Sequence, residues 1–336
     1  MKAYYKTAST NKNFSSFGGL FLYHNLMDNL HLESKLSDLL PKNKITPKTI
    51  SFEKIKSLIY GFISGADCLD DINLLKNDHS FKALVPHYCS SNTLGDFLRS
   101  FSKVQMYDLN LAQLDIAMKL RKLIPDDDKK FILDLDSTDH IQYAKKMEGL
   151  GYNYKDHWGL DSLQAYDQFG IQYWYEVREG GTHTSVGAET AIHHIFKKVP
   201  NEYEKYFRAD SGYASNHVFE ACDTKGVKFV IVLRRNMYQK LLKTIYTWKP
   251  TYLRAKDGRD CEIANTIYHS PKSNKQYRVT IMRAKKKSDQ LELDPIDRYD
   301  YFACISNIDV NKMNNHKMIE FYRKRGNAEN FIKEKS

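Results

Sequence analysis

Three acidic residues in this chain sit where carboxylates can do chemistry. Asp136 closes the run Phe131-Ile132-Leu133-Asp134-Leu135-Asp136. Its two-residue alternation sets Phe131, Leu133 and Leu135 on one face and Ile132, Asp134 and Asp136 on the other. Ser137 and Thr138 break the pattern, so the strand is expected to end by offering Asp136 to a loop. Asp210 ends a second short strand, Tyr206-Phe207-Arg208-Ala209-Asp210, before Ser211-Gly212-Tyr213 turns the chain. Glu329 lies on a C-terminal helix expected from about Asn311, with Tyr322 and Arg325 at i, i+3 and i+7 spacing on one narrow face. Gly326 interrupts that helix at a cost of about 1 kcal/mol relative to Ala. A strand fixes a carboxylate while the adjoining loop leaves it open, which suits metal and phosphate chemistry. Magnesium takes oxygen ligands octahedrally and uses a few carboxylates together with water and phosphate oxygens. Two such ions about 3.5–4 Å apart activate a water or a 3′-hydroxyl and stabilise the leaving oxygen in phosphodiester cleavage. Plainer readings stand beside these. Asp134 and Asp136 read equally as polar caps of an edge strand. Tyr322, Arg325 and Glu329 read as a solvated face with an Arg325–Glu329 ion pair.

The elements that must position these acids change character along the chain. Before Pro125 the pattern is helical. Apolar residues recur at helical intervals from Gly18 to Leu40, and a second helix is expected after Ser51 as N-cap, with Ile55, Leu58, Ile59 and Phe62 on one face. Ser91-Asn92-Thr93 offers a cap for a helix with Leu94, Phe97, Leu98 and Phe101 inward, and a longer helix is expected over about 109–124. Short helices in a basic protein suit a helix-turn-helix, and a plain helical bundle fits equally well. After Lys130 strands take over: Gly159–Tyr166 and Ile171–Val177 as a hairpin, and Gly226–Leu233 as a strand buried on both faces. Helices near 187–198 and before Lys225 alternate with them. The expectation is an α/β sheet with parallel and antiparallel parts behind an all-helical N-terminal region.

Charge points to a polyanionic partner. The chain of 336 residues carries a formal net charge of +10. Between Lys225 and Arg259 ten Lys or Arg meet one acid, Asp257, and Tyr238, Tyr246, Trp248 and Tyr252 are interleaved. Basic residues among aromatics suit phosphate backbone and exposed bases. A solvated basic face over a small β core fits the same stretch. Arg234 and Arg235, with Lys285, Lys286 and Lys287 after the next strand, are the candidate DNA contacts. The five cysteines are scattered and form no Cys-x-x-Cys, which fits a reduced intracellular setting. No apolar run approaches a membrane span, and the start has no secretory h-region, so a soluble cytoplasmic protein without a membrane partner is expected. The chain has no GxxxxGK[ST] and no GxGxxG, which argues against ATP or NAD chemistry.

Several pieces resemble one family in order and spacing. They are Leu133-Asp134-Leu135-Asp136-Ser137-Thr138, Arg178-Glu179-Gly180-Gly181-Thr182-His183-Thr184-Ser185, Phe207-Arg208-Ala209-Asp210-Ser211-Gly212-Tyr213 and Gly226–Ile231. The last is Tyr322-x-x-Arg325-Gly326-x-x-Glu329-x-x-Ile332-Lys333-Glu334. Together they resemble the DDE transposases of bacterial insertion sequences, group 1. The resemblance implies a ribonuclease H-like catalytic domain over 126–336, with a β-rich basic insertion at about 234–298, behind a DNA-binding region at 1–125. It implies Asp136, Asp210 and Glu329 as catalytic metal ligands for Mg²⁺, with Mn²⁺ able to substitute, and Asp134 as a neighbour. Tyr322 and Arg325 match the family's tyrosine-arginine-glutamate signature and would position DNA phosphates. Its expected partners are the inverted-repeat ends, target DNA and a second copy in a homodimer, in a bacterial, nucleoid-associated setting. The signature's lysine is expected seven residues after the Glu, where Ser336 stands, and similar proteins continue further. A C-terminal truncation is therefore expected, and with it an alternative, an inactive relative that only binds DNA.

Overall fold

A computed structural model describes residues 15–42, 48–143, 146–153, 155–271, 273–287 and 295–333. The polar start and Pro47 lie outside them. The chain divides into two compact units, Met1–Leu120 and Arg121–Ser336. The second unit thus opens at Arg121, the last residue of the helix Lys103–Arg121, ahead of Pro125; its buried guanidinium lies 3.5 Å from Asp167 of the same unit.

In the first unit the described elements are helices: α1 (Leu20–Asn29), α2 (Leu32–Leu36), α3 (Lys48–Ile63), α4 (Leu69–Leu75), α5 (His79–Leu84), α6 (Ser91–Arg99) and α7 (Lys103–Arg121). Leu20, Phe52, Tyr60, Ile72, Phe81 and Leu94 form its core. The helical repeat over 18–40 is broken at His31, which takes a left-handed conformation (φ 56°). Ser51 is not a cap. It lies inside α3, buried, with its hydroxyl donating to the Pro41 carbonyl (3.3 Å). The cap of α6 is Ser90, whose hydroxyl accepts the Thr93 N–H. Leu98, expected inward, is exposed, and α7 starts at Lys103 rather than near Leu109.

The second unit is built on one mixed sheet. Its strands are β1 (Lys130–Ile141), β2 (Gly151–Tyr152), β3 (Trp158–Asp167), β4 (Gln172–Glu179), β5 (Glu204–Ala209), β6 (Lys228–Val232), β7 (Lys249–Arg254), β8 (Asp260–His269), β9 (Gln276–Lys285) and β10 (Tyr299–Ser306). The helices are α8 (Ala188–Lys198), α9 (Asn216–Thr224), α10 (Arg235–Leu242), α11 (Asn315–Arg323) and α12 (Gly326–Lys333). The strand order is β2-β3-β1-β5-β6-β10-β9-β8-β7, with β4 also on β3. Among the described residues only β1–β5 and β5–β6 are parallel pairs. The basic stretch after β6 does not form a sheet of its own, since β7, β8 and β9 extend the same sheet through β10.

The alternation in β1 holds. Phe131, Leu133 and Leu135 are buried, and Phe131 packs edge-on against Tyr173 and Phe196 of α8. On β6 the Phe229 ring stacks on Phe219 of α9 at 5.2 Å. The opposite face carries Tyr206 and Val230 under Met318 and Ile319 of α11. One expectation fails. β1 does not end at Asp136 but runs on to Ile141, paired with β3 throughout. What ends is its parallel neighbour, since Leu135↔Ala209 is the last β1–β5 pair. Asp136 therefore stands where one side of the strand opens. The C-terminal helix is also two helices, with a turn at Lys324–Arg325 between α11 and α12. Among the described residues no helix is long and apolar enough to cross a membrane.

Candidate active site

Asp136 is held from two directions. One carboxylate oxygen accepts from the Ser137 N–H (3.0 Å) and the other pairs with the Arg325 guanidinium (2.9 Å). Burial raises the Asp136 pKa, Arg325 opposes that, and the nearby charge of Asp210 adds to it. Arg325 also donates to the Leu135 carbonyl (3.4 Å) and is only 5% exposed. The solvated-face reading of Tyr322 and Arg325 therefore fails. Burial disfavours the charged form of Arg325, but Asp136, Tyr322 and Asp210 outweigh it and raise its pKa. Tyr322, the penultimate residue of α11, packs against Phe302. Its phenol is pushed upward by burial, against the pull of Arg325.

Asp210 follows β5 and caps a short 3-10 turn, Ser211–Tyr213, by accepting the Gly212 N–H (2.9 Å). Arg234 clamps this turn: it donates to the carbonyls of Ser211 (2.8 Å) and Gly212 (2.7 Å) and lies 3.1 Å from His183 Nε2. The structure thus places this candidate DNA contact on the protein backbone. Asp136 and Asp210 both stand just past the last β1–β5 pair, where the charge of each reaches the other, and each is partly exposed. Glu329 is in α12, one turn beyond Arg325, and its side chain lies outside the described residues. Among the described residues no three His, Cys, Asp or Glu gather around one point. The two described carboxylates are nevertheless hard oxygen donors with adjoining charges, the donor type a magnesium ion takes.

Asp210 lines two cavities. One, of about 570 Å³, also receives Lys256, Arg259, Arg283, Arg323 and Arg325. The other, of about 520 Å³, receives Ser137, Asp139, Lys155, His183 and Arg234. Lys256, Arg259, Arg283 and Arg323 were not singled out from sequence. Lys256 and Arg259 sit in the basic stretch, Arg323 is next to Tyr322, and nothing local marks Arg283. Its guanidinium lies between the rings of Trp248 (4.1 Å) and Tyr299 (4.3 Å) and pairs with Glu262 (2.7 Å). Arg235 pairs with Asp297 on the surface (2.8 Å). Lys285 and Lys287 are exposed at the end of β9, with Lys286 half-buried between them, and none of the three lines either cavity.

A family model, Transposase DDE domain group 1, matches residues 6–336. The chain belongs to that family. A search of curated proteins finds no match. As a DDE transposase it has DNA as the partner its family implies, and divalent metal ions as the family's general cofactors. The Arg178–Ser185 motif of this transposase has a physical reading. Arg178, buried, donates to Asp161 (2.7 Å) and to the Thr184 carbonyl (3.2 Å), tying the loop after β4 to β3. Gly180 passes so close to β3 that a Cβ there would sit 1.9 Å from the Gly159 carbonyl oxygen. The same loop brings Thr184 against Gly212, where a Cβ would meet its methyl at 2.7 Å. Sequence distance hides that contact.

Proposed function

We propose that this transposase cleaves DNA at the inverted-repeat ends of its element and joins the 3′ ends to target DNA, using Asp136, Asp210 and Glu329 on a ribonuclease H-like core. The observation that carries the reading is the meeting of Asp136 and Asp210 just past the last β1–β5 pair, with Arg325 drawn onto Asp136. The three acids would hold Mg²⁺, or Mn²⁺ in its place, which when bound supplies charge stabilisation and an activated oxygen nucleophile. The chain's own residues orient and screen. Ser137 fixes one Asp136 oxygen, Gly212 one Asp210 oxygen, and Arg325 offers a planar fork to an incoming phosphate. Arg235, Lys285, Lys286 and Lys287 supply backbone contacts outside the cavities, and Arg234 acts on the Asp210 turn. Residues 1–125 are read as the end-binding region and 234–298 as the insertion. A homodimer holding two ends in the cytoplasm completes the proposal.

The test replaces Asp136, Asp210 and Glu329 singly by Ala. Cleavage is assayed on an end-containing duplex with Mg²⁺ or Mn²⁺, alongside binding by mobility shift. The expected result is cleavage lost and binding kept. Undiminished cleavage by any variant removes that acid from the set.

A further inference from the structure

Resting on that reading, we propose that Asp134 and Arg208 are positioning residues: together they end α11 at Arg323 and so deliver Arg325 to Asp136. Asp134 and Arg208 are direct partners in the parallel β1–β5 register and share the sheet face beneath α11. Both are buried. The pair is bidentate, with Nε and Nη2 of Arg208 at 2.7 and 2.6 Å from the two Asp134 oxygens. That leaves Nη1, which donates to the Phe321 carbonyl (2.8 Å), while the guanidinium lies 5.0 Å from the Phe321 ring.

The Phe321 carbonyl is the decisive acceptor. In an uninterrupted helix it would take the N–H of Arg325, four residues on. Here the Arg325 N–H turns to the Tyr322 carbonyl instead (2.8 Å). Phe321 is thereby left as one of the unsatisfied carbonyls of a helix end, and Arg208 fills it. A cation at a helix C-terminus also complements the helix dipole. The chain then makes its turn at Lys324–Arg325, and the Arg325 side chain crosses to Asp136, two residues beyond Asp134 on the same strand face. Asp134 holds the Arg208 fork in the one plane that reaches both the carboxylate and the carbonyl. Two aspartates on β1 thus receive two arginines, one from β5 and one from the α11–α12 turn. Removing either partner alone would strand a buried charge.

The experiment uses two variants of the full chain: Asp134→Leu/Arg208→Met, which removes both charges at similar volume, and Arg208→Lys. The lysine keeps a charge but cannot reach both carboxylate oxygens and the carbonyl together. Native-state amide exchange is expected to quicken about tenfold over residues 322–326 in both variants, with the first turn of α11 and all of β1, β5 and α9 unchanged. Cleavage per bound duplex is expected to fall about 100-fold with KM held within about twofold. Wild-type exchange over 322–326 in a folded variant would overturn the proposal. So would acceleration spread equally through β1, β5 and α9, which would mark the pair as a support of the whole fold. Arg208→Lys decides the matter if the double variant does not fold. If the wild-type chain itself leaves the duplex uncut, the active-site reading fails, and exchange over 322–326 still judges the clamp.

Discussion

The guanidinium of Arg325 lies 2.9 Å from the carboxylate of Asp136. One residue comes from the turn after α11 and the other from the strand lane opened by the end of β5. The side chain of Arg325 is 5% exposed and that of Asp136 is 21% exposed, so water screens the pair only in part.

Arg325→Ala leaves Asp136 partly buried without its counter-charge. A loss of about 3 kcal/mol in unfolding free energy is expected from urea denaturation, as for breaking one side of a buried pair. Arg325→Lys restores the charge but not the planar fork that also reaches the Leu135 carbonyl, so it should recover only part of the loss. A stability equal to wild type in Arg325→Ala would mean that the pair contributes nothing.

The pH dependence follows from the raised Asp136 pKa, set first by burial, then opposed by Arg325 and reinforced by Asp210. The folded chain keeps this proton to higher pH than the unfolded chain does. The associated stability is complete below the unfolded carboxylate value of about 4 and is lost as pH rises through the raised pKa. Asp136→Asn cannot ionise. Relative to wild type, its denaturation midpoint in chelator should therefore improve between about pH 4 and about pH 7. An equal offset at both pH values would show that no shift exists.

Two glycines should respond differently to alanine. At Gly180 the obstructing atom is backbone, the Gly159 carbonyl oxygen, so Gly180→Ala is expected to cost about 3 kcal/mol by thermal or urea unfolding. At Gly212 the obstruction is the Thr184 methyl, with an Asp210 oxygen 3.0 Å away. Gly212→Ala should therefore fold but shift Asp210, with cleavage reduced about tenfold. Wild-type cleavage in that variant would separate the Gly212 turn from the chemistry.

Arg234 and the Lys285–Lys287 cluster should part company in a salt titration of duplex binding. Lys285→Ala/Lys286→Ala/Lys287→Ala should flatten the slope of log K against log salt by roughly 1 for each phosphate those lysines neutralise, with cleavage per bound complex unchanged. Arg234→Ala should leave that slope nearly intact and lower the cleavage rate, because its guanidinium is engaged with Ser211 and Gly212. The reverse pattern would return Arg234 to the DNA surface.

Part of the candidate site's framework was legible in the residue order. The alternation over 131–136 placed three apolar side chains in the core and both aspartates on the other face, and the short strand before Ser211 delivered Asp210. Strand periodicity is local, so it survives without knowledge of neighbours. The continuation of β1 to Ile141 was not legible, because Ser137 and Thr138 look like an end until β3 pairs with them. Leu98 fits the apolar stripe of α6 and is exposed nonetheless, since a helical period says which residues share a face but not how wide the covered face is.

The residue order by itself determined the candidate residues: an acid on an alternating strand, an acid after a short strand, and a tyrosine and an arginine three apart near a third acid. Only the tertiary structure decided which arginine meets which aspartate. Parallel pairing sets Arg208 opposite Asp134, Arg208 takes the Phe321 carbonyl, and the helix ends where Arg325 can reach Asp136. Those partners lie on separate elements that the sheet brings together, and a local period cannot encode a contact made by the sheet.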